Sequence, residues 1–388
     1  MDIILAGGTG FVGRLTAEYL AAHAPAGTRV GLAGRNPVRL AAVRDALPGA
    51  AGWRLLTADL ADPADAARVA AAAPVVVSTV GPYDRLGRPL AAACARAGAD
   101  YLDLTGEVLF HRWTVAHLDA VAAGTGARLV HSCGFDSVPS DMAVAELAAA
   151  APGELAAVEL VVEELVGGVS GGTVASLMGQ LAAMRADPAA RGIVGDPWAL
   201  APATPAAHRT RRPVRVAPGP RNRLAPFFMA PYNTRLVRRS ALLAGYGERF
   251  DYAERLRARN PARALAVRAG LAAGAAALSL PPTARLLARR LPAPGEGPTA
   301  AERARGRFRM VAHARTRTGR RLAATAALDL DPGYEGTALM LGEAALTLLL
   351  DRDRLPAAAG ALTPATGLGR PYADRLRAAG MTLGARRT

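Results

Sequence analysis

The sequence predicts an α/β protein, with an N-terminal Rossmann domain on a doubly wound parallel sheet and a second domain of α+β type. Short apolar strands alternate with Ala- and Leu-rich helical stretches through the first 140 residues, and a glycine-rich turn follows the first strand. Such alternation produces right-handed βαβ units, whose parallel strands are covered by helices on both faces. The pattern changes after about residue 150, and 388 residues are enough for about two domains.

The first domain is predicted over residues 1–150. Its strands are short runs of apolar or β-branched residues at 2–8, 28–35, 54–60, 74–81, 100–106 and 127–134. The stretches 62–73 and 88–99 between them have helical length and recognisable capping residues. We expect the carboxyl ends of these strands to form a ligand crevice.

The second domain is predicted over residues 151–340. A strand at 155–166 opens it, and residues 308–330 alternate around a Thr-Gly turn as a β-hairpin does. Residues 335–350 predict a buried helix. The stretch 199–232 is rich in Pro, Arg and Ala, which indicates a long irregular loop or an Arg-rich lid.

Charge is unevenly distributed, and arginine supplies every basic side chain because the chain contains no lysine. Residues 185–323 hold 28 Arg against 7 acids, whereas 151–184 hold four Glu and no Arg. Clustered Arg favours an anionic lipid surface, an acidic protein or a phosphorylated substrate as partner, with a merely solvated surface as the alternative. We expect the neighbouring Arg238 and Arg239 to contribute to any such contact. No zinc-finger or RNA-binding signature is present, so nucleic acid is not predicted as a partner.

Cys94 and Cys133 are the only cysteines, too few for a disulfide framework or a thiolate metal site. No metal is predicted. The chain opens directly into a strand without a signal-peptide pattern, which predicts a cytoplasmic protein. The apolar stretch 269–280 is shorter than the ~20 residues that span a bilayer, so at most it lies on the inner face of the membrane.

The motif AGGTGFVG predicts a dinucleotide site between the first strand and the first helix. Gly7, Gly10 and Gly13 form a G-x-x-G-x-x-G pattern, with Thr9 and Phe11 between them. Glycine permits the tight turn and lets backbone amides approach a pyrophosphate at the helix N-terminus.

Residues after the next strands complete the predicted cofactor site. Arg35 and Asn36 follow the second strand, where NAD enzymes usually carry an acid. A guanidinium suits a 2′-phosphate, so NADP(H) is the predicted cofactor, with an ordinary surface arginine as the alternative. Asp59 is a candidate for the adenine edge, and Thr79 and Gly81 lie in the loop that should follow the cofactor.

Candidate catalytic residues follow the fourth and sixth strands. Tyr83 is either a proton donor or an aromatic wall, and the absence of lysine excludes the Tyr-x-x-x-Lys dyad. The stretch HSCGFDSVPSD places His131, Cys133 and Asp136 close together. A cysteine nucleophile with a histidine base is one interpretation. The location beside the nicotinamide half of the crevice favours a cofactor floor and substrate contact instead.

These motifs together resemble the saccharopine-dehydrogenase-like oxidoreductases, and among them the trans-acting enoyl reductases of actinobacterial polyketide-lipid synthesis. The matching stretches, in order along the chain, are GGTGFVG, VGPYDRLGRPLAAACARAGADYLDLTGE, HSCGFDSVPSD, SGGTVASL, GYEGTALMLGEAAL and GALTPATGLG. The resemblance implies that a second domain covers the Rossmann crevice and that residues 341–388 pack back on the first domain. It also implies that Cys133 and Asp136 lie near the substrate.

The resemblance implies NADPH-dependent reduction of an enoyl or other conjugated group on a lipid or polyketide substrate. Two other functions stay open: a saccharopine-like amino-acid or imine oxidoreductase, and a catalytically silent cofactor-binding protein at a lipid surface. Candidate partners are the acyl substrate, free or on a carrier protein, an anionic membrane surface and a second copy of the chain in a homodimer.

Overall fold

Two β-sheets organise the chain in the computed structural model, which describes residues 1–167, 171–201, 214–247, 249–279, 283 and 297–388, and the side chains of all these except 171–175 and 279. The strands are β1 (Ile3–Ala6), β2 (Val30–Gly34), β3 (Arg54–Thr57), β4 (Val75–Ser78), β5 (Asp100–Asp103), β6 (Arg128–Val130), β7 (Leu155–Val166), β8 (Leu224–Pro226), β9 (Asp251–Arg257), β10 (Arg307–Thr316), β11 (Arg321–Leu328), β12 (Gly360–Leu362) and β13 (Thr382–Arg387).

Helices cover both sheets. They are α1 (Phe11–His23), α2 (Pro37–Asp45), α3 (Pro63–Ala70), α4 (Tyr83–Leu86), α5 (Arg88–Ala97), α6 (Val108–His117), α7 (Asp119–Thr125), α8 (Val138–Ala150), α9 (Gly171–Ala186), α10 (Pro188–Gly195), α11 (Ala230–Ala244), α12 (Pro261–Ser279), α13 (Ala300–Arg303), α14 (Thr337–Leu350), α15 (Pro364–Gly367) and α16 (Gly369–Ala378). Short 3-10 turns occupy Arg221–Arg223 and Arg352–Arg354, and a π-helical turn occupies Pro332–Gly336. Within the described ranges, none of these helices is long and apolar enough to cross a membrane.

The first sheet is parallel, with strand order β12-β6-β5-β4-β1-β2-β3. Strands β1, β4 and β5 are buried along their whole length, as expected for parallel strands with helices on both faces. The order reverses between β1 and β4, so a crevice opens at the carboxyl ends of these two strands. The doubly wound parallel sheet predicted from the sequence is confirmed.

The second sheet has the order β13-β11-β10-β7-β9-β8 and is mixed, because β7 and β9 run parallel while the other pairs are antiparallel. The predicted hairpin is confirmed by the β10–β11 register, from Phe308 opposite Leu328 to Arg315 opposite Arg321. The predicted strand at 155–166 coincides with β7. Together the two sheets give the α/β class with a second α+β unit.

The C-terminal segment connects the two sheets. Helix α14 packs on α1, where the Tyr19 hydroxyl donates to Glu343 Oε1 at 2.6 Å and a Cβ at Gly342 would clash with the Tyr19 ring. Strand β12 joins the first sheet beside β6, but β13 joins the second sheet beside β11. The segment therefore contacts more than the first domain. Helix α8, before the predicted boundary at residue 150, packs on the second sheet, so the domain boundaries stay predictions.

The stretch 199–232 is only partly the irregular loop that its composition predicts. Residues 202–213 lie outside the described part of the chain, as do residue 170 of the SGGTVASL motif and residue 280 of the apolar stretch. The remainder includes β8 and the start of α11, so the prediction is wrong there. Proline is compatible with the first helical turn, where its missing N–H costs nothing, and Pro231 occupies that position.

Part of the arginine excess is neutralised within the second sheet. All four Glu of 151–184 pair with later arginines: Glu154 with Arg317 (3.0 Å), Glu159 with Arg221 (2.8 Å), Glu163 with Arg257 (2.8 Å) and Glu164 with Arg307 (2.5 Å). Arg239, predicted as a surface contact, is 1% exposed and donates to the carbonyls of Leu200 and Ala361. The Arg238 guanidinium lies 4.5 Å from the Trp198 ring centroid. The surface role predicted for Arg239 is therefore wrong.

Candidate active site

The glycine-rich turn fits a dinucleotide phosphate group. Gly7 has φ +84°, a conformation that favours glycine, and a Cβ at Gly13 would lie less than 3.0 Å from the Gly7 carbonyl oxygen. Gly10 caps α1 without a side-chain hydrogen bond. The first-turn amides of α1, including that of Phe11, are therefore open to a phosphate, which the helix dipole would also stabilise.

Other predicted cofactor residues lie at the carboxyl ends of neighbouring strands. Arg35 is exposed directly after β2, and Asn36 caps α2 by accepting from the Arg39 amide at 3.0 Å. Asp59 is exposed after β3, where its Oδ1 accepts from the Ala61 amide at 3.1 Å. This is the side of the sheet on which an adenosine half would lie. Their contacts with the cofactor, and that of Thr9, stay predictions.

A cavity of about 330 Å³ begins beside the glycine-rich turn and reaches the second domain. Val12, Thr79 and Gly81 line its cofactor end. The Thr79 hydroxyl is directed at the carbonyls of Ala6 and Gly7, both at 3.1 Å, which fixes the β4 loop against the glycine turn. The other walls are largely apolar and include Leu104, Val108, Phe135, Leu165, Phe228 and Met229. A nicotinamide and a reacting acyl group could therefore meet here away from bulk water.

Tyr83 lines this cavity, but its hydroxyl is occupied by backbone groups. It donates to the Ser78 carbonyl at 3.0 Å and accepts from the Leu104 amide at 3.2 Å. Burial raises the pKa of Tyr83 well above its usual value. Glu107 accepts from the Tyr83 amide at 2.8 Å and from the Ser176 hydroxyl at 2.6 Å. This geometry favours the aromatic-wall interpretation, and the proton-donor role stays an untested prediction.

Cys133 and Asp136 have different surroundings. Cys133 is fully buried, its thiol donates to the Val130 carbonyl at 3.5 Å, and it is not among the cavity-lining residues. Burial raises the pKa of Cys133, which disfavours the thiolate. Asp136 does line the cavity, and its carbonyl accepts from Asn233 Nδ2 at 2.7 Å. The structure thus favours a packing role for Cys133, while a catalytic role for Asp136 stays a prediction.

His131 is not placed as a base for Cys133. Its Nδ1 lies 2.7 Å from Asp103 Oδ2, and its Nε2 lies 2.9 Å from Thr114 Oγ1. Asp103 also accepts from the Ser132 amide at 2.9 Å through its other oxygen. The buried His131–Asp103 pair therefore supports the loop after β6, and the nucleophile-and-base interpretation has no geometric basis.

Three residues that the sequence analysis missed form a polar cluster at the cavity wall. Tyr232 Oη lies 2.5 Å from Ser132 Oγ and 3.0 Å from His111 Nδ1. Tyr232 and Ser132 line the cavity, and all three side chains are buried. Burial raises the pKa of Tyr232, so the phenol stays protonated at neutral pH. Ser132 lies 100 positions and His111 lies 121 positions before Tyr232 in the sequence, so no local motif could have identified the cluster.

A second buried network anchors α11 next to Tyr232. Asn233 accepts from the Ser137 hydroxyl at 2.8 Å and donates to Glu254 Oε2 at 3.1 Å. Tyr252 donates to Glu254 Oε1 at 2.7 Å. Burial raises the pKa of Glu254 to about 7. The network ties α8, α11 and β9 together, so the position of Tyr232 depends on an acid that is about half protonated near pH 7.

Comparison with known proteins identifies a matching family and relatives that cover almost the whole chain. Residues 3–150 match the saccharopine dehydrogenase NADP-binding domain family, which supports NADP(H) as the cofactor. A Mycobacterium tuberculosis protein with a provisional assignment as a trans-acting enoyl reductase is 47% identical, over 98% of this chain and 96% of its own length. The trans-acting enoyl reductase of Mycobacterium bovis is 41% identical, over 100% of this chain and 98% of its own length.

A solved structure supports the fold over the whole chain. Apo saccharopine dehydrogenase (L-Glu forming) from Saccharomyces cerevisiae aligns with a TM-score of 0.55 and 15% sequence identity, covering 100% of this chain and 99% of that one. At this level of identity the similarity concerns the fold alone. It confirms the predicted pairing of a Rossmann domain with a second α+β unit.

Proposed function

The chain belongs to the trans-acting enoyl reductase family, and we propose that it uses NADPH to reduce the carbon–carbon double bond of an α,β-unsaturated acyl thioester. The cavity that joins the glycine-rich turn to the apolar walls of the second domain is the observation that carries this proposal. In this proposal the predicted dinucleotide site and the acyl site lie side by side along that cavity. When bound, NADPH would supply a hydride to the β-carbon of the substrate.

The lining of the cavity supports an apolar acyl group over an amino acid. Both predicted domains contribute apolar side chains to the cavity wall. The first domain contributes Leu104, Val108 and Phe135, and the second contributes Leu165 and Met229. An aliphatic chain would gain roughly 0.8 kcal/mol for each methylene group buried against such walls. An amino-acid substrate would need charged partners for its carboxylate and its amine. The lining includes Asp136 and Arg235, but the Arg235 guanidinium already donates to the backbone carbonyls of Val194, Pro231 and Asp196.

The substrate is proposed to be a lipid or polyketide intermediate that a separate synthase delivers on a carrier protein. The trans-acting names of the relatives support delivery in trans. Phe228 and Leu177 line the cavity while remaining 37% and 46% exposed, so this wall reaches the surface and could admit a tethered acyl chain. Extraction of the substrate from an anionic membrane surface is the alternative source, and a homodimer stays a prediction.

The experiment offers the purified protein NADPH with 2-enoyl thioesters on coenzyme A and on an acyl carrier protein. NADPH oxidation and a product two hydrogens heavier support the proposal. A mixture of an amino acid and an aldehyde, which forms an imine, tests the saccharopine-like alternative in parallel. Oxidation with the imine alone, or NADPH binding without oxidation of either kind, would contradict the proposal. Gly13→Ala is the control, because its Cβ would block the glycine turn.

A further inference from the structure

The polar cluster of Tyr232, Ser132 and His111 is the part of the cavity wall that the reaction, as described so far, does not use. Its members come from α11, from the loop after β6 and from α6. The Tyr232 hydroxyl is shared between Ser132 Oγ at 2.5 Å and His111 Nδ1 at 3.0 Å. A buried phenol at a cavity wall, with two proton-exchanging neighbours, has the components of a general acid.

The hydrogen-bond partners of Ser132 determine where the phenol proton lies. The Ser132 hydroxyl donates to the Thr105 carbonyl at 2.7 Å, and a carbonyl can only accept. While that bond is kept, Ser132 Oγ is an acceptor toward Tyr232. The Tyr232 proton is therefore directed at Ser132 Oγ, and the phenol oxygen accepts from the Nδ1–H of His111. A substrate atom in the cavity can compete for the same proton.

The backbone of Ser132 adopts an unfavourable conformation, which indicates that the surrounding residues hold its hydroxyl in place. Ser132 has φ +65°, and it is the one non-glycine residue with positive φ in the described part of the chain. Such a conformation is energetically unfavourable for a residue other than glycine and persists where the surroundings hold it. Here the Ser132 amide donates to Asp103 Oδ1 at 2.9 Å, while its hydroxyl bridges Thr105 and Tyr232.

His111 is suited to stabilise a Tyr232 phenolate. Its Nε2 is buried and has no hydrogen-bond partner among the described residues. Burial lowers the pKa of His111, and its electrostatic interaction with His131 lowers that pKa further, so the imidazole is neutral. A neutral imidazole carries one N–H, and here that proton lies on Nδ1, which donates to Tyr232 Oη.

We propose that Tyr232 is the catalytic acid of the reduction, with Ser132 and His111 as its positioning residues. The inference rests on the proposed enoyl reductase function. Once the β-carbon has received a hydride, the electron pair of the double bond moves to the carbonyl oxygen and forms an enolate. The enolate pair then forms a new bond between the α-carbon and the Tyr232 proton. The O–H bond breaks to leave a phenolate that accepts a hydrogen bond from His111 Nδ1, and water entering the cavity after product release restores the phenol proton.

The assignment separates Tyr232 from the other candidate acid, Tyr83. Both phenols line the cavity. The Tyr83 hydroxyl donates to the Ser78 carbonyl, and the Tyr83 oxygen accepts from the Leu104 amide. Both partners are backbone groups, so no side-chain donor is available there to stabilise a phenolate. Of the two hydroxyl groups, only that of Tyr232 has a titratable side chain, His111, among its hydrogen-bond partners in the described part of the chain.

The test compares Tyr232→Phe with the wild type on two probes of equal chain length, a 2-enoyl thioester and a 1-nitroalkene. Hydride addition to a nitroalkene gives a nitronate, which takes its proton from water without an enzymic acid. We expect Tyr232→Phe to lower enoyl turnover by about 10²–10⁴-fold, as removal of a general acid typically does. Nitroalkene reduction should stay within about threefold of the wild type, and NADPH affinity from fluorescence titration should be unchanged.

Two controls and a second variant accompany this comparison. Tyr372→Phe removes a buried phenol that donates to the Met340 carbonyl and does not line the cavity, and Tyr83→Phe tests the rival acid. Neither variant should lower enoyl turnover more than it lowers nitroalkene turnover. Ser132→Ala keeps the phenol but removes its nearest hydrogen-bond partner, so it should lower enoyl turnover by about tenfold with the same sparing of the nitroalkene.

Three results would overturn the assignment. Tyr232→Phe could keep enoyl turnover, Tyr83→Phe could show the selective loss instead, or Tyr232→Phe could lose both reactions equally, which would indicate a role in cavity shape. If Tyr232→Phe does not fold, the same readings apply to Ser132→Ala. Wild-type protein that binds NADPH and reduces neither probe would instead overturn the proposed function, and the acid role with it.

Discussion

Replacing Glu254 by Gln tests the buried network that positions Tyr232. Glu254 is 2% exposed, and burial raises its pKa from the usual 4.5 to about 7. Between these two values the folded state keeps a proton that the unfolded state has lost. The folded state therefore binds more protons, and the free energy of unfolding must fall as the pH rises through this window. Above about pH 7 both states are ionised at this site and the dependence ends.

The magnitude follows from the two pKa values. As the pH rises from about 5 to about 7.5, the free energy of unfolding should fall by about 2 kcal/mol because of the raised pKa of Glu254. The slope for one proton is about 1.36 kcal/mol per pH unit. A glutamine side chain is neutral at every pH, so this contribution should disappear in Glu254→Gln. Burial also raises the pKa of Asp141 to about 6, so a part of the wild-type dependence, mostly at the acidic end, should remain in the variant.

Urea denaturation at both pH values measures the difference directly. We expect the unfolding free energies of wild type and Glu254→Gln to converge or cross as the pH rises, with the variant losing about 2 kcal/mol less. Glu18→Gln, on the exposed face of α1, is the matched control and should follow the wild type. If the variant and wild type show equal losses between the two pH values, Glu254 is not protonated in the folded protein and the reasoning fails.

Three further predictions concern the candidate site. Arg35→Asp should remove a preference for NADPH over NADH of at least about tenfold, as one charge-assisted contact provides; equal affinities in the wild type would refute the role of Arg35. Gly13→Ala should weaken NADPH binding by at least about tenfold in fluorescence titration, because its Cβ meets the Gly7 carbonyl, whereas Gly124→Ala, with open space around its Cβ, should bind normally. Cys133→Ser should keep much of the turnover, and a covalent substrate adduct on Cys133 in mass spectra would contradict the packing role.

The parts of the structure that the sequence predicts well depend on local patterns. The strands of the Rossmann sheet are short apolar runs that recur at βαβ spacing, and Gly7 and Gly13 mark a turn whose geometry needs glycine. The hairpin of β10 and β11 is also local, because alternation and a turn are contained in one stretch.

The parts that the sequence does not reveal depend on contacts between distant residues. Tyr232 lies in a stretch whose composition predicts an irregular loop, and it acquires its partners only when α11 packs against α6 and the loop after β6. Arg239 looks like a surface charge next to Arg238 until the carbonyls of Leu200 and Ala361 surround it. Tyr83 is correctly placed at the cavity, but the backbone partners of its hydroxyl are invisible in the sequence.

Reduction of an enoyl thioester at the cavity between the glycine-rich turn and α11 should leave a specific isotope pattern in the product. The protein is incubated with an enoyl thioester and NADPH carrying deuterium at C4 of the nicotinamide, and NMR locates the deuterium in the product. We expect deuterium at the β-carbon and, in deuterated water with ordinary NADPH, deuterium at the α-carbon. Deuterium from the cofactor at the carbonyl carbon, or none in any acyl product, would contradict this expectation.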